Sequence, residues 1–182
     1  SILHGDLETG ITIMKMDKGI DTGEILTTKS IPIESNDNTL SLSKKLSDLG
    51  ADLLDESIKK VLLGEIELQK QDDSLATYAP MIKKEDGFLD SGKSAIDLER
   101  QIRAFFPWPG AFIDIGGEKM KILEATVLNQ LDINKGERVI VDGFPVMGTR
   151  VGCLKILKIQ PAGRKAISGK DFILGYKNWK TI

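Results

Sequence analysis

The stretch Gly10-Ile-Thr-Ile-Met-Lys-Met-Asp-Lys-Gly-Ile-Asp-Thr-Gly-Glu-Ile-Leu26 decides the fold of the first part of the chain. Ile11 to Met16 is apolar apart from Thr12 and Lys15, which predicts a largely buried strand. Glu24 to Ile33 is rich in Ile and Thr and predicts a second strand, with Pro32 near its end. Between them, Gly19 and Gly23 permit tight backbone conformations and a close approach of ligand to main chain. Asp17 and Asp21 sit on this loop. Two readings are open for them: carboxylates tuned by their surroundings for proton transfer, or carboxylates that satisfy turn amides. Met14 and Met16 read as core packing.

Downstream, Asn36-Asp-Asn-Thr39 supplies N-cap chemistry for a long amphipathic helix. Its apolar stripe runs through Leu42, Leu46, Leu49 and Leu53, continues with Ile58 and Val61/Leu62, and stops at Gly64. Strand, strand and helix over residues 1–63 suit part of an α/β layer. Residues 64–86 show no sustained period, contain a polar run and Pro80, and read as a linker. Residues 87–182 open with a helix capped by Ser94 and Asp97, with Leu98, Ile102 and Phe105 inward and Pro107 as its stop. A β-rich region follows: a hairpin about Gly116-Gly117, strands near 138–141, 145–149 and 151–159, then a short helix capped by Ser168 and Asp171. Such short strands between Gly and Pro turns suggest a small closed or partly open barrel. The indole of Trp108, between Pro107 and Pro109, reads as packing between domains rather than stacking on a ligand.

At 182 residues the chain is long enough for one large domain or two small ones, and its 41 % hydrophobic and 29 % charged content is that of a globular protein. No 18-residue apolar span is present, so no membrane helix is expected. The single Cys153 excludes an internal disulfide framework, fits a reducing cytosol and reads as packing, and one His with one Cys makes a structural zinc site implausible. The net charge of −2 is unevenly placed. Residues 1–85 hold 10 Lys/Arg against 16 Asp/Glu, a balance of −6, and residues 86–182 hold 15 against 11, a balance of +4. A mildly basic second half is compatible with a phosphate-backbone partner or with an ordinary solvated surface.

Motifs placed in order along the chain carry a family resemblance. Gly10 to Gly23, with Ile20-Asp-Thr-Gly23 at its end, resembles the active-site signature of the 10-formyltetrahydrofolate-dependent formyltransferases. The lead-in His4-Gly-Asp-Leu-Glu-Thr-Gly10 is similar to that of the methionyl-tRNA formyltransferases. So are Ala76-Thr-Tyr-Ala-Pro80, Lys84-Glu-Asp-Gly87, Ile102-Arg-Ala-Phe105, Pro107-Trp-Pro-Gly-Ala-Phe112 and Gln160-Pro-Ala-Gly-Arg-Lys165. The resemblance implies an α/β remnant of a Rossmann-like formyltransferase domain followed by an OB-like Greek-key barrel domain. It also implies a cytoplasmic, monomeric protein that uses 10-formyltetrahydrofolate as formyl donor, methionyl initiator tRNA as acceptor, and no metal.

Formyl transfer needs an oxyanion stabiliser, a proton carrier, and a group that orients the carrier. By resemblance Asp21 is the catalytic carboxylate, and Asp17, Lys18, Gly19 and Ile20 line the pterin end of the folate site. Lys83, Lys84, Arg103, Arg164 and Lys165 are the implied tRNA contacts, acting on phosphates. The family's Asn and His precede its signature, and His4 reads as ordinary loop structure. The chain is therefore expected to be the C-terminal portion of a longer enzyme and inactive by itself. Two other readings stay open: an amino-sugar formyltransferase or formyltetrahydrofolate hydrolase module with the same two domains, and an OB-like nucleic-acid-binding module without catalysis. The Asp21 signature speaks against the last.

Overall fold

The computed structural model describes residues 1–176 and Trp179. Two compact units form: Ser1 with Asp6–Met81, and Ile2–Gly5 with the chain from Ile82 onward.

In the first unit, β1 (Glu8–Met14) and β2 (Ile25–Pro32) pair antiparallel, from Glu8 opposite Pro32 to Ile13 opposite Thr27. The register slips between Ile13 and Met14, so Met14 faces Ile25. Helix α1 (Thr39–Leu63) covers one face, with Gly50 lying against the Ile11 side chain. The expectation of a buried β1 is corrected. Residues 9, 11 and 13 are half-buried while 8, 10 and 12 are exposed, because a two-stranded sheet with a helix on one face leaves the other to solvent. Met16 is likewise not core, being 87 % exposed on the loop beyond the strand.

Local chemistry sets the ends of α1. Asn38 Oδ1 accepts from Ser41 N at 3.0 Å and Ser41 Oγ accepts from Asn38 N at 3.1 Å, a reciprocal cap. Gly64 closes the helix in the left-handed region at φ 71°. The inner stripe turns from Leu42 and Leu53 to Ser57 rather than to Ile58, which is 51 % exposed. Four residues from Leu53 returns to the same helix face, whereas five rotates away from it. Buried Ser57 donates to Leu53 O at 2.5 Å, so its hydroxyl is satisfied inside the helix.

Asp37, 3 % exposed, ties the entry to α1. It accepts from Lys45 Nζ at 2.7 Å, Ser41 Oγ at 2.8 Å and Glu34 N at 2.9 Å. These bonds, the Lys45 ammonium foremost, hold its carboxyl below the ordinary carboxylate range. A lowered folded-state pKa means that the stabilisation is complete above the unfolded value of about 3.9 and is lost as pH falls through the lower folded one. We therefore expect the urea midpoint of the first unit to fall on acidification from about pH 5 to pH 2. Asp37→Asn should be less stable at neutral pH and should flatten that dependence. An unchanged acid limb in the variant would refute the assignment.

The second unit holds helix α2 (Ala95–Ala104), six strands and helix α3 (Gly169–Gly175). The strands are β3 (Ala111–Ile115), β4 (Glu118–Leu128), β5 (Arg138–Val141), β6 (Phe144–Gly148), β7 (Cys153–Pro161) and β8 (Ile167–Ser168). Their order is β3-β4-β7-β6-β5, every ladder antiparallel, with β8 on β7. Gly116 and Gly117, both at positive φ, form the two-residue turn between β3 and β4. Asp142 and Gly143 do the same between β5 and β6. Ser94 Oγ and Ser168 Oγ cap α2 and α3 by accepting from Asp97 N and Asp171 N. Leu98 and Ile102 of α2, Met120 and Ile122 of β4, Leu154, Ile156 and Ile159 of β7, and Phe172 form the core with Trp179, whose Nε1 donates to Val139 O at 2.8 Å.

Strand pairing does not close this sheet. Among the described residues no ladder joins β3 to β5; the β3 edge instead meets the residues before α2, where Leu89 N donates to Phe112 O at 2.9 Å. The closed form of the expected barrel is thus corrected to an open six-stranded sheet. Trp108 is 57 % exposed. Cys153 is buried, its thiol pushed up by desolvation and directed at Leu131 O at 3.4 Å.

Candidate active site

The loop between β1 and β2 is drawn together at its base. Lys15 N donates to Glu24 O at 2.9 Å, and the Lys15 carbonyl lies where a side chain on Gly23 would begin, 1.7 Å from an ideal Cβ. Only glycine tolerates that crossing. Inside the loop, Asp17 Oδ1 accepts from Thr22 Oγ1 at 2.7 Å and from Gly19 N at 2.9 Å. The Thr22 hydroxyl first, and the Gly19 amide second, hold this carboxyl below the ordinary range. A Cβ on Gly19 would sit 2.0 Å from Thr22 Oγ1, so this glycine makes room for the brace.

Asp21 differs from Asp17. Its backbone is in the left-handed region at φ 57°, which Asp tolerates better than most residues. Its side chain is exposed and accepts no hydrogen bond from the described residues. Lys18 and Ile20 are also exposed, Ile20 by 91 %. The loop therefore brings Asp17, Lys18, Gly19, Ile20 and Asp21 together. Asp17 is spent on the turn, and Asp21 presents a free carboxylate.

A residue that sequence reasoning passed over also belongs here. Gln71 Nε2 donates to Asp21 O at 2.9 Å and to Gly23 O at 2.6 Å. No motif signalled it, because it falls in the polar run after α1. A separate hollow in the first unit, lined by Leu26, Thr27, Leu53, Glu56, Ser57 and Lys60, contains none of the candidate residues.

The cationic candidates lie in the second unit, on separate elements. Lys83 and Lys84 are exposed at the start of a single 3-10 turn, Lys84–Gly87. Arg164 and Lys165 are exposed between β7 and β8, with the Arg164 guanidinium 5.9 Å from the Tyr176 ring centre. Arg103 is bound by Glu99 through two bonds, Nε to Oε1 at 2.6 Å and Nη2 to Oε2 at 3.0 Å, and its side chain is only 19 % exposed. The pair occupies Nε and Nη2 of the guanidinium. The sheet adds a group that the sequence reading missed. Phe88 and Phe112 have ring centres 5.8 Å apart, Lys119 Nζ lies 4.7 Å over Phe112, and Lys121 stands opposite Phe112 across the β3–β4 ladder. The alternation of Lys119 and Lys121 with Met120 and Ile122 was the signal for it.

Two family models match the chain. Residues 1–58 match the family model for formyl transferase, and residues 81–177 match that for the formyl transferase C-terminal domain. The chain belongs to the formyl transferase family. Among curated proteins it is similar to the methionyl-tRNA formyltransferase of Geobacter sulfurreducens, 39 % identical over 178 residues, which is 97 % of this chain and 56 % of that protein. It is also 42 % identical over 175 residues to that of Coxiella burnetii, covering 95 % of this chain and 56 % of the relative. The chain thus spans about half the length of the curated relatives it matches. Solved structures share the fold: an N-formyltransferase from Helicobacter canadensis in complex with folinic acid and dTDP-3-aminofucose has a TM-score of 0.68 at 24 % identity, over 88 % of this chain and 58 % of that one. HypX from Aquifex aeolicus in complex with tetrahydrofolic acid has a TM-score of 0.67 at 18 % identity, over 96 % and 31 %. No helix among the described residues is long and apolar enough to cross a membrane.

Proposed function

We propose that the chain serves transfer of a formyl group from 10-formyltetrahydrofolate to the amino group of methionyl initiator tRNA, with Asp21 as its catalytic carboxylate. The observation that carries this reading is the free, exposed Asp21 side chain, held on a left-handed backbone at the tip of a braced loop within the Ile20-Asp-Thr-Gly23 signature. The donor brings the activated formyl group. The attacking amine gives up one proton and the departing folate nitrogen takes one up, so the exchange is neutral overall. A carboxylate that accepts and returns a proton through water meets that requirement. Asp17 and Gly19 shape the loop, while Lys18 and Ile20 border the donor. Exposed Met16 and Ile20 beside a free carboxylate suit a flat heterocycle with polar edges.

Residues 1–63 then act as part of the catalytic domain together with the Gln69–Gln71 stretch that pairs with β2, the rest of 64–86 as linker, and 87–182 as an OB-like domain facing tRNA in the cytoplasm. Lys83 and Lys84 before that domain, and Arg164, Lys165, Lys119 and Lys121 within it, supply phosphate contacts, and Arg103 stays paired with Glu99. The tRNA acceptor is favoured over an amino sugar because the relatives near 40 % identity are named for it. The test supplies the full-length gene product with 10-formyltetrahydrofolate and either methionyl-tRNA or an amino-sugar nucleotide. Formylated methionyl-tRNA is the expected product; transfer to the sugar alone would overturn the assignment. The 182-residue chain, which spans about half the length of its relatives, is expected to show no turnover by itself, and measurable turnover would overturn that expectation.

A further inference from the structure

The loop that carries Asp21 has an anchor outside itself. After α1 the chain returns along the start of β2: Ile25 N donates to Gln69 O at 2.8 Å and Gln69 N donates to Ile25 O at 2.9 Å. In an antiparallel pair each step forward on one segment is a step back on the other. Gln71 therefore falls opposite Gly23, the residue with no side chain to exclude it. Its amide group carries two hydrogens, and two main-chain carbonyls receive them: Asp21 O at 2.9 Å and Gly23 O at 2.6 Å. The Met14 sulfur lies a further 3.9 Å from the same nitrogen. The Gln71 amide nitrogen must face the loop, since its oxygen there would oppose two oxygens. The two bonds straddle Thr22, and so set the orientation of the Asp21–Thr22 and Gly23–Glu24 peptide units.

We propose that Gln71 is a positioning residue for formyl transfer: its side-chain amide clasps the Asp21 and Gly23 carbonyls and holds Asp21 in the left-handed conformation that aims its carboxylate. This rests on the reading of Asp21 as the catalytic carboxylate. Asp21 has no side-chain bond of its own to fix it, so its aim depends on its backbone, and the outside restraint on that backbone comes from Gln71. Asp17 and Thr22 brace the other side of the loop from within. Loss of the clasp frees the Asp21 peptide to leave a conformation that L-residues seldom adopt. Misplacement of a catalytic group by about 1 Å costs on the order of a hundredfold in rate.

The test is Gln71→Met, which keeps length and volume and removes both donors, in the full-length gene product with 10-formyltetrahydrofolate and methionyl-tRNA. We expect kcat to fall about tenfold to a hundredfold, with KM for both substrates within about twofold. In the Asp21→Asn background the same change should cost less than about twofold, because a group without its carboxylate gains nothing from being aimed. In the same full-length product the backbone chemical shifts of Asp21–Gly23 should move, while amide exchange in the β1–β2 ladder should stay unchanged. Equal losses of kcat in both backgrounds, or faster exchange across the whole hairpin, would mean that Gln71 only stabilises the unit and would overturn the proposal. Wild-type kcat in Gln71→Met would do the same. Should Asp21→Asn itself retain full activity, the catalytic assignment fails first, and that outcome is separate from a failure confined to Gln71.

Discussion

Asp21→Asn in the full-length protein is expected to lower kcat for formyl transfer by about 10²- to 10⁴-fold, the usual contribution of a positioned proton carrier. The substitution is a clean probe for structural reasons. The Asp21 side chain is exposed and accepts no hydrogen bond from the described residues, so nothing in the fold depends on its charge. Asn is among the few residues that share Asp's tolerance of the left-handed region, so φ 57° remains accessible. Thermal stability should stay within the scatter expected for a surface change, about 0.5 kcal/mol. If the carboxylate acts chiefly in the transition state, kcat and kcat/KM fall together. Near wild-type kcat in Asp21→Asn would end its assignment as the catalytic group, and a large loss of stability would mean that the carboxylate has a structural partner.

Gly23→Ala should be the most damaging small substitution in the first unit. Its φ is not unusual, so the cost arises in space rather than in the backbone: the new methyl would start 1.7 Å from Lys15 O, where real Cβ atoms essentially never come within 3.0 Å. The strands must part at the base of the loop. That movement strains the Lys15 N to Glu24 O bond and the Gln71 bond to Gly23 O together. Overpacking against rigid main chain costs about 1–3 kcal/mol and sometimes more, and losing both hydrogen bonds places this site at the upper end. Amide exchange in β1 and β2 should report it directly, and formyl transfer should fall with it. Gly64→Ala is the control. It forces a side chain into φ 71° with no atom within 4 Å, and should cost only about 1 kcal/mol. Equal effects at the two positions would show that backbone freedom, and not the Lys15 contact, explains Gly23.

Legibility followed the range of the interactions. The ends of α1, the caps at Ser94 and Ser168 and the Gly116–Gly117 turn were readable because each is settled by groups within a few residues of one another. Asp21 was readable only through its signature, since its composition and spacing suit a turn carboxylate equally well. Gln71 was not readable at all: it lies 50 residues from Asp21 along the chain, in a stretch with no period. The sequence shows Arg103 as a cation, and the structure adds that Glu99, one helical turn back, pairs with it. The α1 stripe continues at Ser57 and not at Ile58 or Val61/Leu62, which are exposed, since a polar Ser57 on the inner face reads as surface until its bond to Leu53 O is seen.

By itself, the sequence determined the elements, the loop and the identity of its candidate carboxylate, because helix caps, glycine turns and signature residues act over short distances. Tertiary structure alone decided that β4 lies beside β7, that the sheet stays open, that Asp17 is spent on bracing while Asp21 is free, and that Gln71 reaches the loop. These depend on which distant backbone groups satisfy one another, and hydrogen-bond partners so far apart in the chain leave no periodic trace in it.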